Sequence, residues 1–206
     1  MSTGKADHLT HVDATGAARM VDVADKAPSS RTATASGRVR VSPRVVELLR
    51  GTSPDGRTLP KGDALAVARI AGIMGAKRTP DLIPLCHPIA LHGVTVELTV
   101  ADDAVEISAT ARTADRTGVE MEALTAVTTA ALTIVDMVKA VDPVAEICSV
   151  RVESKTGGKS GDWHRGADGS VVRETSGTAE TSGTAETSGT AGASGTAGGE
   201  AERSAS

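Results

Sequence analysis

Two apolar segments constrain this chain more than anything else in it: "DALAVARIAGIMGAKR" (63–78) and "TGVEMEALTAVTTAALTIVDMVKA" (117–140). Both have helical spacing, yet their apolar positions run nearly all the way round. The first carries Leu65, Val67, Ile70, Ile73 and Met74; the second carries Val119, Met121, Leu124, Val127, Leu132, Ile134, Val135 and Val138. A sheet covers only one face of a helix, so the second face is expected to meet another subunit. Composition points the same way. The 206 residues include no Phe, no Tyr and a single Trp, Trp163, which leaves Val, Ile, Leu, Met and Ala to build the core. Small aliphatic cores bury less area per residue, and burial between subunits adds to it.

The rest of the body supplies a sheet. "GRVRVS" (37–42) alternates Val39 and Val41 with Arg38 and Arg40, the period of a strand. "SPRVVELLRG" reads as a short helix, with Ser42 as cap, Pro43 in the first position and Gly51 as the stop. The first apolar segment follows as a helix over 63–78, capped by Asp63 and stopped by Pro80. "VTVELTV" (94–100) and "AVEISATAR" (104–112) form a hairpin across "ADDA". The long helix over 117–140 ends at Asp142-Pro143, and "ICSVRVESK" (147–155) is a last strand. With one extra short helix, the order β-α-α-β-β-α-β predicts an α+β fold. That fold is a ferredoxin-like split βαβ sandwich with an antiparallel sheet and two main helices.

The chain ends in "ETSGTAETSGTAETSGTAGASGTAGGEAERSAS", which has too little apolar surface to offset chain entropy. Residues 170–206 are therefore expected to be a disordered low-complexity Ser/Thr/Gly/Ala tail. Five glutamates from Glu174 on, against Arg203, carry the whole formal charge of −4. The balanced remainder has no basic excess and no aromatic surface for stacking, so no nucleic-acid partner is expected. Residues 1–20 read as a flexible N-terminal arm without an apolar signal region, and 21–165 as the catalytic domain. Cys86 and Cys148 make no disulfide framework. No apolar run looks long enough to cross a bilayer. A cytoplasmic protein without a membrane partner is the expectation.

Charges that interrupt the apolar helices are the informative exceptions. Asp136 and Lys139 are three apart, hence neighbours on one helix face; in isolation they read as an ordinary surface ion pair, while their apolar surroundings predict a partly buried acid-base couple. Glu120 and Glu122 stand near the helix start. Glu122 and Asp136 are fourteen positions apart, about 21 Å along a helix axis, so they reach one reacting atom only across two subunits or along a long ligand. Lys61, Lys155 and Lys159 lie among glycines, whose open N–H groups suit phosphate oxygens. "GGKS" is not a P-loop, because Glu153 stands where that motif needs its first glycine.

The Cys86-His87 pair admits several readings. Neither cysteine completes a four-ligand zinc site, and His8 and His11 sit in the polar arm, so no metal is expected. Adjacent residues of an extended segment point opposite ways, which argues against a Cys-His nucleophile. Periodicity alone favours a structural His87.

Taken together, "MVDVADK", "LPKGDALAVARIAGIMGAKRTPDLIPLCHPIAL", "TGVEMEALTAVTTAALTIVDMVKAVD" and "KTGGKSGD" resemble one family from about His8 to Trp163. It is the cyclic pyranopterin monophosphate synthases, molybdenum cofactor biosynthesis protein C. The resemblance implies a phosphorus-oxygen lyase that takes 3′,8-cyclo-7,8-dihydro-GTP from an upstream radical enzyme. Its implied products are cyclic pyranopterin monophosphate and pyrophosphate, with no metal or organic cofactor. It also implies a homohexamer, a trimer of dimers, with sites between subunits.

By the same resemblance Asp136, Lys139 and Lys61 are catalytic. Leu85, Cys86, His87, Glu120, Met121 and Glu122 bind substrate, with Lys159 a phosphate contact. His87 thereby becomes a substrate contact rather than a structural residue. Two positions depart from the pattern. Arg19 stands where relatives carry a histidine, leaving a phosphate-binding role open, and Arg116 stands where lysine is common. The alternatives are a non-catalytic nucleotide-binding module on the same fold, or a purely structural oligomerisation domain. The second leaves Glu122, Asp136, Lys139 and Lys61 unexplained.

Overall fold

The structure, a computed structural model, describes residues 12, 15–159 and 161–173. His8, His11, most of the expected arm and the expected tail from 174 on lie outside the described residues. The element order is β1 (Ser29–Arg40), α1 (Pro43–Arg50), α2 (Ala64–Ala76), α3 (Thr79–Leu82), β2 (Leu91–Val100) and β3 (Ala104–Asp115). It continues with α4 (Glu120–Val138), β4 (Glu146–Thr156), β5 (Trp163–Arg165) and β6 (Val171–Arg173). The strands form one sheet in the order β2-β3-β1-β4-β5-β6, antiparallel throughout. Its first four strands have the split βαβ order expected from sequence.

Local chemistry sets the helix boundaries. The Asp63 carboxylate accepts the Ala66 N–H at 3.0 Å and starts α2. Gly51, at φ 68°, closes α1 in a left-handed turn. Ser42 precedes α1 as expected, but its hydroxyl makes no cap bond. Its N–H instead donates to Asp142 Oδ2 at 2.6 Å, which fastens α1 to the turn after α4.

The helices α2 and α4 share one face of the sheet and pack along each other. Towards them β1 presents Ala33, Ala35, Gly37 and Val39, and β3 presents Val105, Ile107, Ala109 and Ala111, all buried. The other sheet face is polar, with Thr32, Thr34, Ser36 and Arg38 from β1 alone. Small residues let the helices come close. A Cβ on Gly72 would lie 2.9 Å from the Ala126 carbonyl oxygen, and one on Gly75 would lie 2.7 Å from Thr129 Cβ. On its outer side α2 leaves Val67, Ile70 and Met74 exposed, the second apolar face expected from sequence.

Strand β4 carries two bulges against β1. Ser36 and Arg38 pair with Arg151 and Cys148, so Gly37 faces two residues, and Ser149 there takes a φ of 55°. Thr34 and Ala35 pair with Ser154 and Val152, leaving Glu153 as a second extra residue. Glu153 accepts hydrogen bonds from the Ser36 hydroxyl and from Arg151 Nε.

Four expectations need correction. β1 begins eight residues before Gly37 and ends at Arg40. "SSRTATAS" alternates only Ala with Ser and Thr, a faint period-2 signal until a close helix buries the alanines. Pro80 does not merely stop a helix; it sits in the first turn of a new one, α3. β5 and β6 extend the sheet, and β6 takes Val171–Arg173 out of the segment expected to be tail. Finally, α4 does have the length and apolar composition of a membrane span. Just over half of it is buried, against the sheet and α2, while Leu132 stays exposed.

The α2–α4 contact gives a test. Gly75→Ala should destabilise the protein by about 1–3 kcal/mol through overpacking, despite alanine's better helix propensity. Combining it with Thr129→Gly should cost less than the sum of the two single changes, read as denaturant midpoints. Strict additivity would mean the helices have room to part.

Candidate active site

A cleft of about 840 Å³ opens at the N-terminal end of α4. One wall is the segment Leu85, Cys86 and His87, which border the cleft together. The sequence reading expected Cys86 and His87 to point opposite ways. The Cys86 N–H donates to the Ile83 carbonyl at 3.0 Å and closes a turn at Pro84 and Leu85, after which Cys86 and His87 both border the cleft. The opposite wall is the first turn of α4, with Glu120, Met121 and Glu122. Val21, Val23 and Lys26 cross from the N-terminal side.

The floor of the cleft is basic. Arg31 is only 8% exposed, and its Nε donates to the Asp115 carbonyl at 2.9 Å. Lys155 Nζ lies 2.7 Å from Glu120 Oε1. Lys159 follows on a loop that only glycines permit here. Gly157 and Gly158 have φ of +82° and +84°, and side chains would collide with the Ser30 carbonyl and the Arg31 guanidinium respectively. The Gly157 N–H donates to Asp162 Oδ1 at 2.7 Å, which holds the loop closed. Arg116 also lines the cleft, and its Nη1 donates to the Ala24 carbonyl at 2.7 Å. Cations thus outnumber the two carboxylates, a balance suited to a polyphosphate anion.

Glu122 is the exception in this wall. It is buried, and desolvation pushes its pKa from 4.5 to about 7, with the nearby Glu120 charge adding to the rise. A carboxyl poised there both gives and takes a proton near neutrality. Burial, then the Glu122 charge, push the Cys86 thiol up, so it stays protonated and is a poor nucleophile.

A second cluster sits at the other end of α4. Asp136 Oδ1 meets Lys139 Nζ at 2.7 Å, and Asp136 Oδ2 meets Lys61 Nζ at 2.6 Å. Lys61 also donates to the Asp136 carbonyl at 2.8 Å. Bonds from Lys139 and then Lys61 hold the Asp136 pKa at about 2. The i,i+3 pairing is as the spacing predicts, but the partial burial is not: Asp136 and Lys139 side chains are 53% and 59% exposed. The apolar neighbours turn inward, and the charges project from the outer side.

The predicted residues therefore fall in two groups. Leu85, Cys86, His87, Glu120, Met121, Glu122 and Lys159 come together at the cleft. Asp136, Lys139 and Lys61 come together about 21 Å away along the helix. Arg19 is exposed and lines neither. Sequence reasoning missed Arg31 and Lys26, and did not carry Lys155 into the site. Among the described residues, no three His, Cys, Asp or Glu side chains converge so as to hold a metal ion.

Comparison with known proteins takes in both groups, Lys159 alone lying just past the family match. The MoaC family model matches residues 20–158. The chain is 73% identical over 159 residues to a cyclic pyranopterin monophosphate synthase of Streptomyces coelicolor, spanning 77% of this chain and 91% of that protein. It is 66% identical over 160 residues to the protein of that name from Nocardioides sp., covering 76% and 95% of the two. Cyclic pyranopterin monophosphate synthase 2 of Mycobacterium tuberculosis is 58% identical over 161 residues, with 78% and 93% covered.

The Glu122 environment predicts a pH dependence. Its folded pKa is raised, so its carboxyl favours the folded state fully below about 4.5, and that advantage is lost as pH rises to about 7. The urea stability difference between wild type and Glu122→Gln should therefore fall across this window and flatten above it. A constant difference from pH 4.5 to 7.5 would contradict the assignment.

Proposed function

The chain belongs to the MoaC family, and from that premise we propose that it is a cyclic pyranopterin monophosphate synthase in molybdenum cofactor biosynthesis. The reaction is the pyrophosphate-releasing cyclisation of 3′,8-cyclo-7,8-dihydro-GTP, a phosphorus-oxygen lyase chemistry fed by an upstream radical enzyme. One observation carries the reading. A single helix holds a near-neutral carboxyl beside a cationic cleft at one end, and an aspartate with two lysines at the other.

The groups suit the chemistry. Rebuilding the purine-derived part into a pterin moves protons on and off nitrogen. Glu122 is poised to exchange them, while Asp136, held ionised, fixes Lys61 and Lys139 as directed proton donors. A ribose-derived hydroxyl then attacks the α-phosphorus; an O–P bond forms as the bond to pyrophosphate breaks. Negative charge builds on the phosphoryl oxygens and the leaving group. Arg31, Lys155, Lys159 and His87 offer it hydrogen bonds. Because the attack is intramolecular, holding the ends of the substrate supplies much of the rate.

The distance between the two groups supports a site completed by a second subunit, within a homohexamer built as a trimer of dimers. The exposed Val67, Ile70 and Met74 stripe supports the same assembly, since apolar area of that kind is stable when covered.

Purified protein given synthetic 3′,8-cyclo-7,8-dihydro-GTP should release pyrophosphate with the pterin product. Asp136→Ala and Lys139→Ala should keep the wild-type assembly and lose turnover by at least about a thousandfold. Full turnover by either would sink the residue assignments, and triphosphate binding without pyrophosphate release would favour a mere binding module.

Ile70→Asp places a charge on the apolar stripe. It should shift sedimentation to a smaller species and take activity down with it. A variant that stays assembled and active would remove the stripe from the interface.

A further inference from the structure

Trp163 is the only aromatic residue in the chain, and the chemistry above does not use it. Its place in the sheet gives it a task. Lys155 pairs with Ala33 on one side and with Trp163 on the other. Paired residues on neighbouring strands share a face, with Cβ atoms about 5 Å apart. Ala33 is buried towards α4, and Lys155 reaches Glu120 in the first turn of α4, so this row faces the helices and the cleft. The preceding residue, Asp162, holds the glycine loop through the Gly157 N–H at 2.7 Å. β5 thus braces both the loop and the lysine.

A lysine has four rotatable bonds, and the entropy lost in freezing them opposes a fixed ammonium position. The small Ala33 leaves space beside the Lys155 stem, and the broad indole borders it on the opposite side. The Lys155 side chain is only 14% exposed, although β4 at this point has just the three-residue strands β5 and β6 outside it. Half-buried Trp163 is the large residue placed to limit the stem.

We propose that Trp163 is a positioning residue for Lys155, holding its ammonium at the cleft for the polyphosphate end of the substrate. This rests on the reading of the cleft as the synthase site. Trp163→Leu should raise KM about tenfold with kcat changed less than about twofold, while Trp163→Phe restores most of the loss. Unfolding midpoints and sedimentation identify any Leu variant that fails to fold.

A second measurement needs no change at Trp163. As the chain's sole aromatic, it should change its emission saturably when inorganic pyrophosphate is added at concentrations that inhibit turnover. Lys155→Met should abolish that change. A folded Trp163→Leu with unaltered KM, or wild-type emission blind to inhibitory pyrophosphate, overturns the inference while leaving the synthase reading intact. A wild-type protein that does not turn over the cyclised nucleotide overturns both.

Discussion

The close approach of α2 and α4 is the contact on which the rest depends. With no Phe or Tyr to fill space, the layer between helices and sheet must be thin. Gly72 and Gly75 on one helix and Ala126 and Ala130 on the other make it so. A thin layer buries alanines usefully, because each small side chain touches atoms on every side at ordinary packing density. It also fixes where the two ends of α4 stand against the sheet. One end meets the basic start of β1 and the end of β4; the other meets the loop that carries Lys61.

That placement gives one helix two carboxylates with opposite electrostatics. Glu122 is buried beside another acid, and its proton is held up to about pH 7. Asp136 is exposed between two ammonium groups and is ionised down to about pH 2. Desolvation decides the first and direct hydrogen bonds decide the second. Identical chemistry is thereby divided into a group that trades protons and a group that anchors cations.

Much of this was legible in the sequence, for reasons that can be located. Large apolar residues at regular spacing marked α2, α4, β2 and β3, and the turn residues ordered them into the split βαβ. Asp136 and Lys139 declared themselves by interrupting an apolar helix at i,i+3. Lys61 stood out only as a glycine-flanked lysine suited to phosphate, because a loop 75 residues away carries no local sign of its partner; only the resemblance grouped it with Asp136. The start of β1 was hidden by its Thr-Ala alternation, and Arg31 was hidden with it. Extending the alternation back from Ala35 and Ala33 would have put Arg31 on the buried face, a charged exception of the kind that marked Asp136. The cleft wall at Cys86 and His87 was read only from the resemblance, because a short irregular segment between Pro84 and Pro88 has no periodicity to read.

The two bulges of β4 act as a register buffer. Each extra residue swaps which side chains face the helices, and two of them restore the original phase by the time the strand reaches Lys155. Odd-numbered positions face inward at Ile147, even ones at Val152, and odd ones again at Lys155. Losing Glu153 alone would close the second bulge and leave Lys155 opposite Ala33, still facing inward. The ladder partner Ala33, and not the number of residues before it, holds Lys155 at the cleft, so the strand can absorb an extra residue here without moving its lysine.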